Sequence, residues 1–144
     1  MDAKVKKRWI NALRGDKYKQ AQGALCIPGK KDNQDKFCCL GVLCDLYKRS
    51  KANVRKVKWT LVELDPDNRG CSFGGDTITL PYGVQKWAGL IQADPQIVID
   101  DIREKYQSKL EESGAGDKDA IGLADLNDAG FTFKQIAKII EEQL

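Results

Sequence analysis

The chain contains 144 residues, 42% of them hydrophobic and 31% charged, and carries a formal net charge of +3. These values are typical of one globular domain, and the charge is weaker than that of dedicated nucleic-acid binders. No apolar run approaches the ~20 residues of a membrane-spanning helix, and the basic amino terminus lacks the continuous apolar core of a signal peptide. The sequence therefore predicts a cytoplasmic protein that forms one domain over residues 1–144 and does not enter membranes.

The first predicted element is an amphipathic helix near the amino terminus. Val5, Trp9 and Leu13 recur at helical spacing, and Gly15 follows as a plausible stop. Residues 23–27 then form a short extended run that is closed by a Pro-Gly turn.

A buried helix is predicted after a polar loop at residues 30–36. The apolar run over residues 37–49 is too long for a strand bounded by turns, and its apolar residues define one helical face. Gly41 in its middle lowers helix propensity by about 1 kcal/mol against Ala, so we expect it to permit close backbone packing.

The middle of the chain predicts a β-hairpin. Alternation across residues 54–64 indicates the first strand, and Thr77–Leu80 indicates the second. Between them lie turn residues at 65–70 and at 74–76, so we expect a long, glycine-rich connection.

Helical patterns dominate the rest of the chain. Pro81 can occupy the first turn of a helix, and residues 96–112 leave both a helix and a strand open. Thr132 and Gln135 have the spacing of a capping box at the start of the last helix. The order of elements predicts an α+β fold in which several helices pack on a short antiparallel hairpin or small sheet.

The five cysteines predict buried, reduced thiols. Their odd number, the lack of a Cys-x-x-Cys pair and the absence of histidine argue against a disulfide framework and against a zinc site. We therefore expect no metal and no cofactor. The residues concerned are Cys26, Cys38, Cys39, Cys44 and Cys71.

Catalytic patterns are weak in this sequence. Without histidine there is no ordinary nucleophile–histidine pair, and neither a phosphate-binding loop nor a dinucleotide fingerprint is present. Asp125 and Asp128 would share a helix face and could serve metal-dependent phosphodiester chemistry, but Asp128, just before Ala129-Gly130, is also typical of a helix end or turn. The sequence favours a non-catalytic protein, and a small hydrolase is the third hypothesis.

The carboxyl-terminal third has the outline of a helix-turn-helix, with the last helix in the reading position. The final turn of that helix is acidic, with Glu141 and Glu142, and would be repelled by phosphates. This argues against specific DNA binding.

Three stretches carry a resemblance to a known family: residues 9–25, residues 37–45 and residues 123–141. They include W-I-N-A-L-R with Y-K-Q, F-C-C-L-G-V-L-C-D, and L-N-D-x-G-x-x-F-x-x-I-A. The chain resembles small uncharacterised proteins encoded in phage and prophage genomes. The resemblance implies a viral accessory protein acting in an infected bacterium. Its polar motif residues are candidates for a site, although a structural role is equally open: Tyr18, Gln20, Asn127 and Asp128.

The first functional hypothesis is a binder that antagonises a host function by sequestering an anionic, nucleotide-type defence signal. Residues 48–58 contain six Lys or Arg and no acidic residue, although such a segment can also be a solvated loop. Cationic side chains would bind the phosphates, and aromatic rings, among them Trp87, would stack on a base. The candidate ligand-binding residues of this segment and its neighbours are Arg55, Lys58, Trp59, Arg69, Phe73 and Tyr82.

The alternative hypothesis is a protein-interaction module that binds a host or phage protein through the basic segment. By analogy with sequestering proteins, whose protomers often pair, the first hypothesis also includes a homo-oligomer that helps to enclose the ligand.

Overall fold

The computed structural model describes residues 1–30 and 33–144. The helices in this part of the chain are α1 (Ala3–Arg14), α2 (Cys39–Lys48), α3 (Tyr82–Ala88), α4 (Asp100–Glu112), α5 (Leu123–Asp128) and α6 (Phe133–Gln143). The strands are β1 (Lys19–Gln20), β2 (Cys26–Ile27), β3 (Lys36–Phe37), β4 (Trp59–Asp65), β5 (Asn68–Phe73), β6 (Gln96–Val98) and β7 (Ala120–Gly122).

The strands form two sheets. The larger one has the order β1-β3-β2-β5-β4, in which β1 and β3 are parallel and the other neighbours are antiparallel. The smaller sheet is the antiparallel pair β6-β7. Helices packed on small sheets within one domain confirm the predicted α+β class. Among the described residues, no helix is long and apolar enough to span a membrane.

Helix α2 lies at the centre of the core, where nearly all of its residues are buried. Trp9 of α1 is fully buried and its indole Nε1 donates to the Cys39 carbonyl oxygen at 2.9 Å. A Cβ on Gly41 would lie 1.8 Å from the Leu25 carbonyl oxygen. The expectation that Gly41 permits close backbone packing is therefore confirmed, because any side chain there would overlap the neighbouring backbone.

The hairpin differs from the prediction. Its second strand is β5 (Asn68–Phe73), which follows β4 after a tight turn, whereas Thr77–Leu80 does not form a strand. Gly70 is tolerated within β5 because the side chain of Leu64 covers it. The composition around Gly70 and Cys71 is typical of a turn. These residues instead form a strand, because they pair with β4 across the hairpin.

Several predicted boundaries also shift. The strand at residues 23–27 is reduced to β2, the first hairpin strand begins at Trp59 instead of Val54, and Pro81 is the N-cap of α3 instead of lying inside it. The run 96–112 contains both alternatives, with β6 followed by α4. The predicted loop 30–36 includes residues 31 and 32, which lie outside the described residues.

The amino terminus of α6 has the capping box that the sequence predicts. The Thr132 side chain accepts from the Gln135 backbone N–H at 3.2 Å, and the Gln135 side chain accepts from the Thr132 N–H at 3.0 Å. Phe131 and Ile136, on either side of the cap, are fully buried. The cap thus fixes the start of a helix whose apolar face contributes to the core.

Replacing Thr132 with alanine is expected to lower the free energy of unfolding by about 1 kcal/mol, because the N3 amide loses its acceptor. Ligand binding should not change, since Thr132 does not line the cavity described below. Urea unfolding gives the energy, and Thr132→Ser serves as the control because it keeps the hydroxyl. An unchanged urea midpoint for Thr132→Ala would contradict the cap.

All five cysteines are free and buried. Burial raises the pKa of each thiol, to about 11 for Cys38 and well above the ordinary value for Cys39 and Cys44. Cys26 and Cys71 lie opposite each other on β2 and β5, and burial is again the main cause of their raised pKa values. A thiol with a raised pKa has little reactive thiolate near neutral pH.

We predict that none of the five thiols reacts with Ellman's reagent at mildly alkaline pH while the protein is folded. The reason is that both the raised pKa and the burial hold the thiolate fraction and its access low. Denaturation should release all five. Fast labelling of one thiol in the native protein would identify an opening of the core and contradict the prediction.

Candidate functional site

A cavity of about 720 Å³ opens between the loop after α2, the end of β5 and helix α3. This volume lies within the range of small-molecule sites in proteins. We call it the aromatic cavity. Its lining residues are Tyr47, Ala52, Val54, Arg55, Val57, Phe73, Gly74, Pro81, Tyr82, Gly83, Val84, Lys86 and Trp87.

The floor of the aromatic cavity is apolar and rigid. Phe73 and Val84 are fully buried, and Tyr47 is nearly so. The Tyr47 ring meets that of Trp87 at a centroid distance of 5.5 Å and that of Phe73 edge-on at 6.2 Å. Rings fixed in this way offer flat, apolar faces without losing conformational entropy on binding.

The rim combines positive charge with an exposed ring. Arg55 and Lys86 line the opening and are exposed, and Tyr82 is 76% exposed. Among the described residues, none that lines the cavity is acidic and neither cation takes part in an ion pair. The Arg8 guanidinium lies 5.9 Å from the centroid of the Trp87 ring and adds to the positive charge nearby.

The loop that carries Arg55 is held by the side chain of Asn53. Its amide nitrogen donates to the carbonyl oxygens of Val57 at 2.9 Å and Lys48 at 3.3 Å, and its oxygen accepts from the Val57 N–H at 2.9 Å. These bonds close the segment into a compact turn. Lys56 adopts φ of 52° within it, a conformation that needs such support.

Replacing Asn53 with alanine is therefore expected to loosen the rim of the aromatic cavity. Three hydrogen bonds are lost from a partly solvated loop, so the free energy of unfolding should fall by about 1 kcal/mol. Amide hydrogen exchange should accelerate selectively at residues 50–58. Asn68→Ala, at the tip of the hairpin, is the control, and uniform acceleration across the chain would contradict a local role.

The structure brings only part of the predicted hairpin site together. Arg55, Phe73 and Tyr82 line the aromatic cavity, as the first hypothesis requires. Lys58 and Arg69 do not line it, and Arg69 lies opposite Glu63 near the hairpin turn.

Trp59 lies behind the cavity floor, where it is half-buried. Its ring packs between Phe37, at a centroid distance of 5.6 Å, and Phe73, at 4.9 Å. Its indole nitrogen donates to Asp45 Oδ1 at 3.1 Å. These contacts give Trp59 a role in the core, where it supports Phe73 instead of facing the opening.

Tyr18 also contributes to this buried cluster. Its hydroxyl donates to Asp45 Oδ2 at 2.6 Å, and Arg49 forms a 3.0 Å ion pair with the same oxygen. Asp45 is only 3% exposed, so these donors compensate for burying its carboxyl group. Burial, followed by the bond to Asp45, raises the pKa of Tyr18, and its hydroxyl therefore stays protonated as a donor.

Gln20 and Asn127 form a second buried network. The Asn127 oxygen accepts from Gln20 Nε2 at 2.9 Å and from the Cys39 N–H at 3.1 Å, while its nitrogen donates to the Ala21 carbonyl at 2.7 Å. Gln20 also accepts from the Phe133 N–H at 3.1 Å. The two side chains thereby join the β1 segment, the start of α2 and the α5–α6 junction.

Asp128 completes this connection from the protein surface. Its Oδ1 accepts from the Gly23 N–H at 2.9 Å, and the neighbouring Asn127 is fully buried. Asp125, its predicted carboxylate partner, is exposed on α5. Among the described residues, no group of three or more Asp, Glu or Cys side chains is arranged to hold a metal ion. The polar motif residues thus have internal partners and form structural contacts.

The sequence reasoning missed Tyr47, Val57 and Lys86 as lining residues. The sequence pattern placed Tyr47 on the core face of α2. In the structure its side chain lies at the boundary between the core and the cavity. Lys86 follows Tyr82 by four residues on α3, so the two share one helix face. That spacing was the signal that could have identified Lys86 from the sequence.

Comparison with known proteins identifies a family for the whole chain. A domain of unknown function, DUF8296, matches residues 1–144, and the chain belongs to this family. Neither the curated proteins nor the solved structures contain a match.

Proposed function

We propose that this member of the DUF8296 family is a non-catalytic binding protein whose aromatic cavity takes up an anionic, nucleotide-type ligand. The observation that carries the proposal is the combination of fixed aromatic walls with Arg55 and Lys86 at the rim of one cavity. A nucleotide has matching parts, with a flat aromatic base at one end and an anionic phosphate at the other.

The base would occupy the inner part of the aromatic cavity. Trp87 and Phe73 supply apolar surface there, and the exposed ring of Tyr82 is free to cover a bound base from the solvent side. Stacking on an aromatic side chain is worth about 1–3 kcal/mol per base and does not depend on the identity of the base. The aromatic walls therefore support affinity for nucleotides as a class.

The phosphate would lie at the rim between Arg55 and Lys86. Arginine provides a planar pair of donors that matches two phosphate oxygens, and lysine adds a mobile point charge. In the part of the chain that the structure describes, no acidic residue lines the cavity to oppose this attraction. The basic loop at 48–58 would also steer anions towards the opening.

The resemblance of the sequence to phage and prophage proteins extends the proposal to a biological setting. In an infected bacterium, a protein that binds a signalling nucleotide without altering it lowers the free concentration of that signal. Sequestration needs only affinity and abundance. It is compatible with a cavity whose described lining residues include no histidine, acidic residue or thiol.

Isothermal titration calorimetry can test the proposal with defined probes. We would titrate the purified protein with the four ribonucleoside monophosphates and with cyclic dinucleotides. Adenosine and inorganic phosphate serve as probes for the base and the anion alone. We expect a nucleotide to bind more tightly than either fragment, and chromatography after incubation should recover it unchanged.

Native mass spectrometry of protein exposed to bacterial extract widens the search for the ligand. A nucleotide-sized adduct with absorbance near 260 nm would agree with the proposal. No binding of any nucleotide in either experiment would contradict it. Recovery of a stoichiometric protein partner in place of a nucleotide would favour the protein-interaction alternative, and recovery of a cleaved nucleotide would favour the hydrolase.

A further inference from the structure

A second cavity, of about 340 Å³, opens beside strands β1, β2 and β3. We call it the lysine cavity, because three of its described lining residues are lysines and none is acidic. The described linings of this cavity and of the aromatic cavity share no residue. The residues that line the lysine cavity are Lys19, Ile27, Pro28, Gly29, Lys30, Asn33, Gln34 and Lys36.

Strand pairing places two of these lysines side by side. Lys19 of β1 lies directly opposite Lys36 of β3 in a parallel pair, and Lys36 in turn lies opposite Ile27 of β2. Residues opposite each other on paired strands point to the same face of the sheet, so the three side chains form one row along the cavity. In the next row Phe37 and Cys26 lie opposite each other and are buried in the core. The lysine row therefore occupies the outer face of the sheet.

The two opposed lysines have no acidic partner among the described residues. Both are exposed, and neither takes part in an ion pair. Asp35, which precedes Lys36, does not line the cavity, and its Oδ1 accepts from the Gly29 N–H at 2.8 Å. Like charges directly opposite each other on paired strands are destabilising. An anion between the two ammonium groups would remove this repulsion.

A third lysine borders the same space. The carbonyl oxygen of Lys30 accepts from the Asn33 N–H at 3.0 Å, and the side chain of Gln34 donates to the Lys17 carbonyl oxygen at 2.9 Å. These bonds fix the backbone beside the lysine row. Every charged side chain in the described lining is therefore positive, and the carboxamide of Asn33 adds a neutral donor.

We propose that the lysine cavity binds a small anion that contains a diphosphate group. One phosphate would lie between Lys19 and Lys36, and Lys30 would contact the other, because lysine binds phosphate as a mobile point charge. The volume lies at the lower end of the range for small-molecule sites, so it favours a compact anion over a ligand that also buries a base there. The site does not depend on nucleotide binding in the aromatic cavity.

The first experiment is isothermal titration calorimetry with pyrophosphate, without divalent cations, in the Arg55→Glu, Lys86→Glu background. This background lacks the phosphate contacts of the aromatic cavity, so the affinity that it retains belongs to the lysine cavity. We expect Lys19→Gln or Lys36→Gln to weaken pyrophosphate binding about tenfold, because each removes a charge-assisted contact. Lys134→Gln is the matched control, since it removes the same charge from an exposed position outside both described linings and should leave the affinity unchanged.

The second experiment measures stability by urea unfolding at low ionic strength. Without ligand, Lys19→Gln should raise the urea midpoint, because it removes the like charge opposite Lys36. Pyrophosphate should raise the midpoint of the wild type more than that of this variant. Lys30→Gln lies outside the opposed pair, so it should weaken pyrophosphate binding without raising the midpoint of the ligand-free protein.

Titration with ADP in the same background identifies the source of the diphosphate group. Affinity for pyrophosphate alone indicates a free anion, and equal affinity for ADP indicates the diphosphate of a nucleotide, so either result supports the site. A background variant that does not bind pyrophosphate would overturn the proposal. So would an equal loss of affinity in Lys19→Gln and Lys134→Gln, or a Lys19→Gln protein with a lower urea midpoint than the wild type.

Discussion

Replacing Asn127 with alanine is expected to lower the free energy of unfolding by about 3 kcal/mol or more. The side chain is fully buried, and the substitution removes the acceptor of the Cys39 N–H and the donor to the Ala21 carbonyl. Each buried backbone group left without a partner costs about 1–3 kcal/mol. Gln20 would in addition lose one of its hydrogen-bond acceptors.

Urea unfolding followed by tryptophan fluorescence measures this effect, and Asp128→Ala is the control at the neighbouring position. Asp128 is exposed and its Oδ1 accepts from the Gly23 N–H at 2.9 Å and, at 3.5 Å, from Asn127 Nδ2, so the cost of losing these solvent-accessible bonds should stay below about 1 kcal/mol. An Asn127→Ala protein as stable as this control would contradict the structural role. Loss of ligand affinity in a fully folded Asn127→Ala variant would instead return Asn127 to the list of site residues.

Local helix signals were the part of the fold that the sequence could predict. The capping box at Thr132 depends on side chains three residues apart, so the pattern contains all the information that the helix start needs. The same holds for α1, where apolar spacing identifies the buried face of Trp9 and Leu13. Such features depend only on residues that are close together in the sequence.

The hairpin could not be placed from local patterns, because strand pairing depends on contacts between distant residues. Cys71 is held on one side by Leu61 and on the other by Cys26, and neither contact is visible in the turn-like composition around Gly70. Thr77–Leu80 has the composition of a strand, but its backbone bonds go to separate partners, namely the Leu25 N–H and the Ala93 carbonyl. The strand propensity of Thr77–Leu80 was therefore overridden, because β5 and not this segment pairs with β4 and β2.

In the candidate site, too, some residues could be predicted from the sequence and others could not. Arg55 and Tyr82 could be grouped from charge and aromatic character, although no periodic pattern connects the loop with α3. Tyr47 could not be added, because a residue at the end of a buried helix gives no sign that one side of its ring faces a cavity. For the polar motif residue Asn127 the sequence left a functional and a structural role open, and the network of its buried partners favours the structural one.

Reversing both rim charges, with Arg55→Glu and Lys86→Glu together, is expected to weaken nucleotide binding about hundredfold or more. Each charge-assisted hydrogen bond contributes roughly 1.5–3 kcal/mol, and tenfold in affinity corresponds to about 1.4 kcal/mol. Both side chains are exposed and lack ion-pair partners among the described residues, so the fold and its urea midpoint should not change.

The matched control for this double reversal is Arg69→Glu with Lys134→Glu, which changes the net charge equally at exposed positions outside the cavity. Calorimetry at two salt concentrations separates local contact from general attraction, because long-range attraction fades with ionic strength and direct phosphate contacts persist. If both double variants lose affinity equally and only at low salt, the net charge of the protein attracts the anion. If the control alone loses affinity, the phosphate site lies along the outer hairpin. A selective loss in the rim variant at both salt concentrations is the result that the geometry of the aromatic cavity requires.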